Sequence, residues 1–177
     1  QGYGSLFSHD REKAQPAYYQ VFLEDFAIDV ELTASPRAGF HRYTFPKNEN
    51  AQVVLDLDHR DKLIDVHLEL VDSLTIKGYR HSTEWANDQR LFFHAQFSSP
   101  ILNNTFREDS LVVGLDFGKL DKPLLVKVGI SAVDMLGAKK NVEYEINHWD
   151  FEKTKHQSQS KWEKALSKIQ VFDRKED

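Results

Sequence analysis

The sequence predicts a mainly all-β fold: an antiparallel β-sandwich of about ten strands, followed by a short helix and a C-terminal linker helix. Short apolar segments with a period of two recur between residues 18 and 130 and are separated by turn residues, the spacing expected of a sandwich. No helical segment alternates with these strands, so a parallel α/β sheet is not expected. The pattern changes to a helical period only after residue 131.

The first 17 residues are expected to form a loop, because glycines, serines and Pro16 interrupt any period. Regular alternation then begins and is broken by short polar turns, which places the strand boundaries. The predicted strands are residues 18–26, 28–33, 38–46, 51–57, 64–71, 74–80, 89–97, 111–117 and 124–130.

The strand at residues 38–46 is predicted to be central. Successive strand residues alternate between the two faces of a sheet. One face therefore carries Phe40, Arg42 and Thr44, and the other carries His41, Tyr43 and Phe45. Because aromatic residues fall on both faces, we expect this strand to lie inside a sheet that is covered on both sides.

Two helices are predicted in the last part of the chain. Residues 137–146 carry Ala138, Val142 and Ile146 at a spacing of four, and Asp150 can cap a second helix. The second helix begins with an almost wholly polar half and ends with an apolar stripe. The stripe consists of Trp162, Ala165, Leu166 and Ile169. Such a stripe must pack against something, so we interpret the helix as a connector towards a second domain that is not present.

Composition excludes several function classes. A net charge of −5 over 177 residues does not favour nucleic-acid binding, which needs a basic surface. No apolar stretch approaches the length of a membrane span, and no signal peptide is recognisable. The chain has no cysteine, which excludes disulfides and thiolate metal sites but is compatible with either the cytosol or bacterial export.

The residues alone predict no catalytic centre. None of the eight histidines has a partner at the spacing of a helical metal site, so no metal ligands are assigned. A glycosidase needs two carboxylates that face each other across a sugar. Asp56, Asp58 and Asp116 lie at predicted strand ends, but nothing in the sequence indicates that two of them converge.

The best binding candidate is the polar segment 79–88, which contains Arg80 and Trp85. Sugar rings stack on aromatic side chains while their hydroxyl groups pair with charged or amide groups. The alternative interpretation is that Trp85 is a plug over the end of the sandwich or is buried against a neighbouring domain.

Several short strings occur in a family-specific order. They are Phe7–Ala14, Pro16–Leu23, Glu31–Ala34, Gly39–Pro46, Leu55–His59, Gly78–Arg80 with Trp85–Ala86, and Val126–Ser131. Together they resemble the N-terminal domain of glycoside hydrolase family 92, whose members are α-mannosidases. The resemblance extends from about Ser5 to Ile169.

This resemblance implies an antiparallel sandwich, a helical linker and then a large (α/α)6-barrel catalytic domain. It also implies an exo-acting, calcium-dependent, inverting hydrolysis of α-mannosides, often α-1,2-linked and of N-glycan type, in the periplasm or outside the cell. In the family, the catalytic residues and calcium ligands belong mainly to the barrel. We therefore expect no catalytic residue, metal site or cofactor in this fragment.

The expected organisation is a sandwich over residues 1–131, lacking the opening strands of the family, and two helices over residues 132–177 that lead to the absent barrel. Such a piece should be inactive alone. Arg80 and Trp85 are carried over only as pocket-rim or interdomain residues. The expected partners are the catalytic barrel and mannose-containing glycans, and unpaired sheet edges favour a homodimer. The alternative is a stand-alone carbohydrate-binding or structural module.

Overall fold

The computed structural model describes residues 4–107 and 111–172. Within them, a short 3₁₀ turn at His9–Arg11 precedes eleven strands and two helices. The strands are β1 (Glu12–Gln15), β2 (Tyr18–Leu23), β3 (Ile28–Ala34), β4 (Ala38–Thr44), β5 (Gln52–Asp56), β6 (Lys62–Asp72), β7 (Thr75–Thr83), β8 (Gln89–Phe97), β9 (Asn103–Phe106), β10 (Val112–Asp116) and β11 (Leu124–Ser131). The helices are α1 (Met135–Glu145) and α2 (Phe151–Leu166). Neither helix is long and apolar enough to cross a membrane.

The strands form two antiparallel sheets, which confirms the predicted fold class. The large sheet has eight strands in the order β1-β2-β3-β4-β11-β8-β7-β6, and the small sheet has three in the order β5-β10-β9. Strands β1 and β9 were not predicted, and β1 lies inside the segment expected to be a loop. Both are four polar or mixed residues that show no apolar alternation, so backbone pairing to β2 and β10 alone defines them.

Two apolar cores lie on opposite sides of the large sheet. The core between the sheets contains Ala51, Leu57, Ile76, Phe93, Ala95, Phe97, Ile101, Val113, Leu115, Phe117, Leu124 and Val126. The core between the large sheet and the helices contains Tyr18, Ala38, Phe40, Val142, Ile146 and Phe151. The fold is therefore a sandwich with a helical layer on one outer face.

Strand β4 is covered on both sides, as predicted. Phe40 is fully buried under the helices, while Tyr43 and Phe45 pack against the core between the sheets. Its neighbours in the large sheet are β3 and β11. The alternation of aromatic residues read from the sequence thus sets which side of the sheet receives the helices.

Helix α2 packs against the large sheet through its first half, which the sequence shows to be almost wholly polar. Its start is capped by Asp150, whose Oδ1 accepts a hydrogen bond from the backbone N–H of Lys153 at 2.9 Å, as expected. Thr154 and Ser158 are buried against the sheet, and the Ser158 hydroxyl donates to the carbonyl oxygen of Ala34. Small polar residues allow close approach here, and a hydrogen bond to backbone satisfies Ser158.

A charged network joins this helix to the large sheet. The Arg42 guanidinium donates to the Glu31 carboxylate on β3 and, at 2.8 Å, to Glu152 Oε1 on α2. The Tyr18 hydroxyl donates to Glu31 Oε1 at 2.8 Å, and the ammonium group of Lys155 lies 3.9 Å from the centre of the Tyr18 ring. The Glu31 carboxylate therefore ties β2, β3 and β4 together, and the Arg42 guanidinium joins this group to α2.

The ionisation of Glu31 follows from these contacts. Burial on its own raises the pKa of Glu31, but hydrogen bonds from Arg42 and Tyr18 outweigh burial and hold the pKa below its usual value. Burial and the Glu31 carboxylate raise the pKa of Tyr18 well above its ordinary range. Glu31 is consequently a carboxylate and Tyr18 a neutral donor at neutral pH.

Part of the inner face of the large sheet has no small-sheet strand across from it. The core between the sheets includes no residue of β1, β2 or β3, and the small sheet stops at β5. A cleft remains beside β5. Its apolar lining consists of Leu23, Phe26, Ile28, Val30, Tyr43, Phe45, Pro46, Val53 and Val54. In the described residues, the outer edge of β5 pairs with no other strand.

Replacing Arg42 by Met should destabilise the protein by about 2–3 kcal/mol, because Glu31 would stay buried without its cation. Urea unfolding followed by tryptophan fluorescence measures the change. The control is Lys139→Met in the half-exposed Lys139–Glu143 pair, which should change stability by less than about 0.5 kcal/mol. Equal effects of the two substitutions would contradict the role given to the network.

His41 should make the protein less stable in acid. Its half-buried ring lies 2.8 Å from the Tyr43 hydroxyl, and burial lowers the pKa of His41 to about 4. Below about pH 6.5 the unfolded chain takes up a proton that the folded chain refuses, so folding free energy is lost as the pH falls towards 4, by up to about 1.4 kcal/mol per pH unit. Unfolding between pH 7 and 4.5 should show a shallower loss in His41→Asn. Parallel curves would show that His41 contributes nothing.

Candidate functional site

The structure separates the two residues that the sequence placed in one polar binding segment, residues 79–88. Arg80 lies on β7 (Thr75–Thr83), four residues after Ile76, so it shares the face that looks towards the small sheet. Trp85 follows β7 in the loop to β8. The two side chains therefore start from different elements and do different things.

Arg80 holds a neighbouring loop in place. Its Nε donates to the carbonyl oxygen of Leu57 at 2.8 Å, Nη1 donates to the Ser82 hydroxyl at 2.8 Å, and Nη2 donates to carbonyl oxygens of residues 59–61. The backbone of Arg60 and Asp61 is left-handed, with φ of 57° and 45°. The side chain of Arg80 is only 17% exposed. We conclude that its guanidinium stabilises an unusual loop and is not free to contact a sugar.

Trp85 is open to solvent. Its side chain is 87% exposed, so it is not a plug over the end of the sandwich. The loop is bent at Glu84, where φ is 131° and the N–H donates to the carbonyl oxygen of Ala86 at 3.2 Å. An indole presented on a short bent loop is available to a neighbouring domain or a ligand.

The opposite face of β7 carries a group that the sequence did not single out. Five residues from β6, β7 and β8, here called the β7 patch, line a depression of about 280 Å³. They are Asp65, Tyr79, His81, Arg90 and Phe92. Two of them stand in the predicted segment 79–88, and strand alternation alone would have separated them from Arg80. The others join only through the pairing of three strands.

The second half of α2 and the turn after it present an apolar surface. Trp162, Leu166 and Ile169 of the predicted stripe, here called the α2 stripe, are 51%, 54% and 81% exposed. The predicted helix included Ile169, but α2 ends at Leu166, so Ile169 lies in the segment that follows the helix. Clefts on either side of Trp162 are lined by Pro16 and by Pro36, which belong to two turns of the large sheet. An exposed apolar patch of this kind is typical of an interaction surface.

The described residues do not fit a calcium site. Calcium takes six to eight oxygen ligands, usually with several carboxylates. In residues 4–107 and 111–172, no group of three or more His, Cys, Asp or Glu side chains could hold a metal ion. No step of a reaction is therefore assigned to a metal here.

Comparison with known families identifies the chain. The model of the N-terminal domain of glycosyl hydrolase family 92 matches residues 1–131, and the model of the catalytic domain of the same family matches residues 137–177. The chain belongs to glycosyl hydrolase family 92. The resemblance read from the sequence is thereby confirmed. The second match includes most of α1 and all of α2, although both helices pack on the large sheet.

Solved structures of the family have the same fold. The family GH92 α-mannosidase BT3965 from Bacteroides thetaiotaomicron is 30% identical, with a TM-score of 0.89 over 99% of this chain and 27% of that chain. The inverting mannosidase BT2199 from Bacteroides thetaiotaomicron VPI-5482 is 21% identical, with a TM-score of 0.81 over 94% and 24%. This chain thus spans about a quarter of the length of these relatives. No curated protein sequence matches it.

Truncation of Arg80 should destabilise the protein much more than truncation of Trp85. Arg80→Ala leaves several carbonyl oxygens of the 57–61 loop without a donor and should cost about 2–3 kcal/mol of folding stability. Trp85→Ala removes an exposed ring and should change stability by less than about 0.5 kcal/mol. Chemical denaturation measures both. A destabilisation by Trp85→Ala as large as that by Arg80→Ala would refute this division of roles.

Proposed function

We propose that this chain is the N-terminal part of a longer α-mannosidase, in which it supports the catalytic domain and shapes the rim of its pocket. One observation carries the proposal. The α2 stripe is an exposed apolar surface within the segment that matches the family's catalytic domain, and it is presented by a helix that is fixed to the sandwich. A surface held in this way suits the docking of a second domain.

The attachment of the helices explains how support would work. Arg42 ties α2 to the large sheet, and Glu145 at the end of α1 accepts hydrogen bonds from the Ser35 hydroxyl at 2.6 Å and from the Arg37 side chain at 2.6 Å. Burial raises the pKa of Glu145, but these donors outweigh it and lower the pKa. With both helices anchored at their packed ends, the α2 stripe keeps one orientation relative to the sandwich.

The activity proposed for the longer protein is the exo-acting, inverting hydrolysis of α-mannosides, with α-1,2 linkages of N-glycans as the first candidates. The α-mannosidase BT3965 and the inverting mannosidase BT2199 support the reaction class. The catalytic acid, the base and calcium ligands would come from the catalytic domain. The 177-residue chain would have no hydrolytic activity of its own and would work in the periplasm or outside the cell.

The exposed indole of Trp85 favours a second candidate, a stand-alone carbohydrate-binding module. The cleft beside β5 also locates the place where two copies would associate, since it combines an unpaired edge with apolar residues. Both arrangements would leave the α2 stripe exposed to water, which is why we rank them below the mannosidase.

The proposal is tested by the reading frame that follows Asp177. We expect it to encode a catalytic domain, and the protein produced from the whole frame should release mannose from α-1,2-mannobiose, whereas residues 1–177 should release none with or without calcium. A stop codon directly after Asp177 would refute the proposal. Mannose release by the 177-residue chain would refute the assignment of the chemistry to the second domain.

Trp162→Asp should weaken the interface between the two domains in the longer protein. It places a charge in the apolar contact, so the melting temperature of the catalytic domain should fall by several degrees, while that of residues 1–177 alone should change little because the ring is half exposed there. The control is Val71→Asp, which alters a similarly exposed apolar residue on β6. The same shift in both variants would argue against docking through α2.

A further inference from the structure

The helix-bearing face of the large sheet is only partly covered. Helix α1 packs mainly on β11 and β8, and α2 packs on β3 and β4. The β6 side of the same face carries the β7 patch, whose residues are half-buried or exposed. This depression lies on the opposite face of β7 from Arg80 and is not used by any contact described above.

Polar groups in the patch are held in fixed orientations. Asp88, in the loop that leads into β8, accepts a hydrogen bond through Oδ1 from Arg90 Nε at 3.0 Å, and the same oxygen lies 2.8 Å from His81 Nε2. The Tyr79 hydroxyl donates to Asp65 Oδ2 at 2.7 Å. Among the described residues, Oδ2 of Asp88 and the two terminal nitrogens of Arg90 have no hydrogen-bond partner. A carboxylate oxygen and a guanidinium edge therefore remain available side by side.

Aromatic rings lie beside these groups. The Tyr79 and Phe92 ring centres are 5.4 Å apart, and the His67 ring stacks on the other side of Tyr79 at 5.9 Å. Aromatic surface next to planar polar groups is the combination that binds the apolar C–H face and the hydroxyl groups of a sugar.

The charges of the patch select against other ligands. Arg90 is neutralised by Asp88, and Asp65 adds a further carboxylate, so the depression has no excess positive charge for a phosphate or a nucleic acid. The carboxylates are engaged by Arg90 and Tyr79, whose hydrogen bonds lower the pKa of Asp88 and of Asp65 respectively. A neutral ligand with neighbouring hydroxyl groups fits, because one hydroxyl can donate to Asp88 while the next accepts from Arg90.

We propose that the β7 patch, together with Asp88, is a glycan-binding site that binds a mannose residue of the substrate. The choice of mannose rests on the proposed function, whereas the choice of a neutral sugar rests on the chemistry of the patch. The sandwich would then hold one part of a branched glycan while another part is hydrolysed.

The test is an NMR titration of the ¹⁵N-labelled 177-residue chain with methyl α-D-mannopyranoside. We expect saturable amide shifts in β7, in β8 and in the loop between them, with a dissociation constant in the millimolar range. Arg90→Gln and Asp88→Asn should each weaken binding at least tenfold. Both side chains are more than half exposed, so neither variant should unfold, and thermal melting checks this. The control is Lys13→Gln, which removes an exposed cation on β1, at the opposite edge of the large sheet from β6 and β7.

The outcomes are separable. Absence of shifts, shifts confined to the 57–61 loop or to α2, or unchanged affinity in Arg90→Gln would each overturn the site. Equal shifts with glycerol would also overturn it, since they would show contact with any polyol. Selective binding by this chain without mannose release by the longer protein would uphold the site and refute the proposed function. Mannose release by the longer protein without sugar binding by this chain would uphold the proposed function and refute the site.

Discussion

One ionic contact fixes α2 to the large sheet, the bridge that Arg42 makes between Glu31 on β3 and Glu152 on α2. Hydrophobic burial places helices on this face of the sheet, but Phe40 and Phe151 would tolerate several helix positions because apolar contact is not directional. The planar guanidinium accepts few geometries and therefore fixes the register of the helix. A buried charge without its partner is expensive, so losing either member of the Glu31–Arg42 pair would destabilise this arrangement.

The sequence predicts what depends on alternation and misses what depends on pairing. Phe40 and Tyr43 on opposite faces of β4 are enough to infer a strand with a layer on each side, and both layers are present. Strands β1 and β9 have no apolar period, so only their partners reveal them. The polar first half of α2 was not expected to pack, for a related reason. Thr154 and Ser158 are residue types that usually face solvent, and only the closely packed sheet buries them.

The candidate site shows the same limit. The sequence places Arg80 and Trp85 in one polar binding segment, although the predicted strand 74–80 already includes Arg80. Arg80 shares the inner face with Ile76 on β7, whereas Trp85 lies in the loop after Thr83. Alternation along β7 could have grouped Tyr79 with His81. It could not have added Asp65, because a bulge between Leu63 and Asp65 shifts the β6 register, nor could it have shown that Asp88 is held by two side chains from different strands.

The strand order gives the two proposed surfaces a defined relation. Helix α2 sits on β3 and β4, while the β7 patch is centred three strands beyond β4, across β11 and β8. Neighbouring strands are about 4.8 Å apart, so β4 and β7 are separated by roughly 14 Å along one face of a continuous sheet. Each sugar of an extended glycan spans several ångströms, so a branch held at Arg90 and Asp88 would reach past α1 towards whatever docks on the α2 stripe. A rigid sheet that carries both surfaces would thereby convert weak, remote sugar binding into a raised local concentration of substrate at the neighbouring domain.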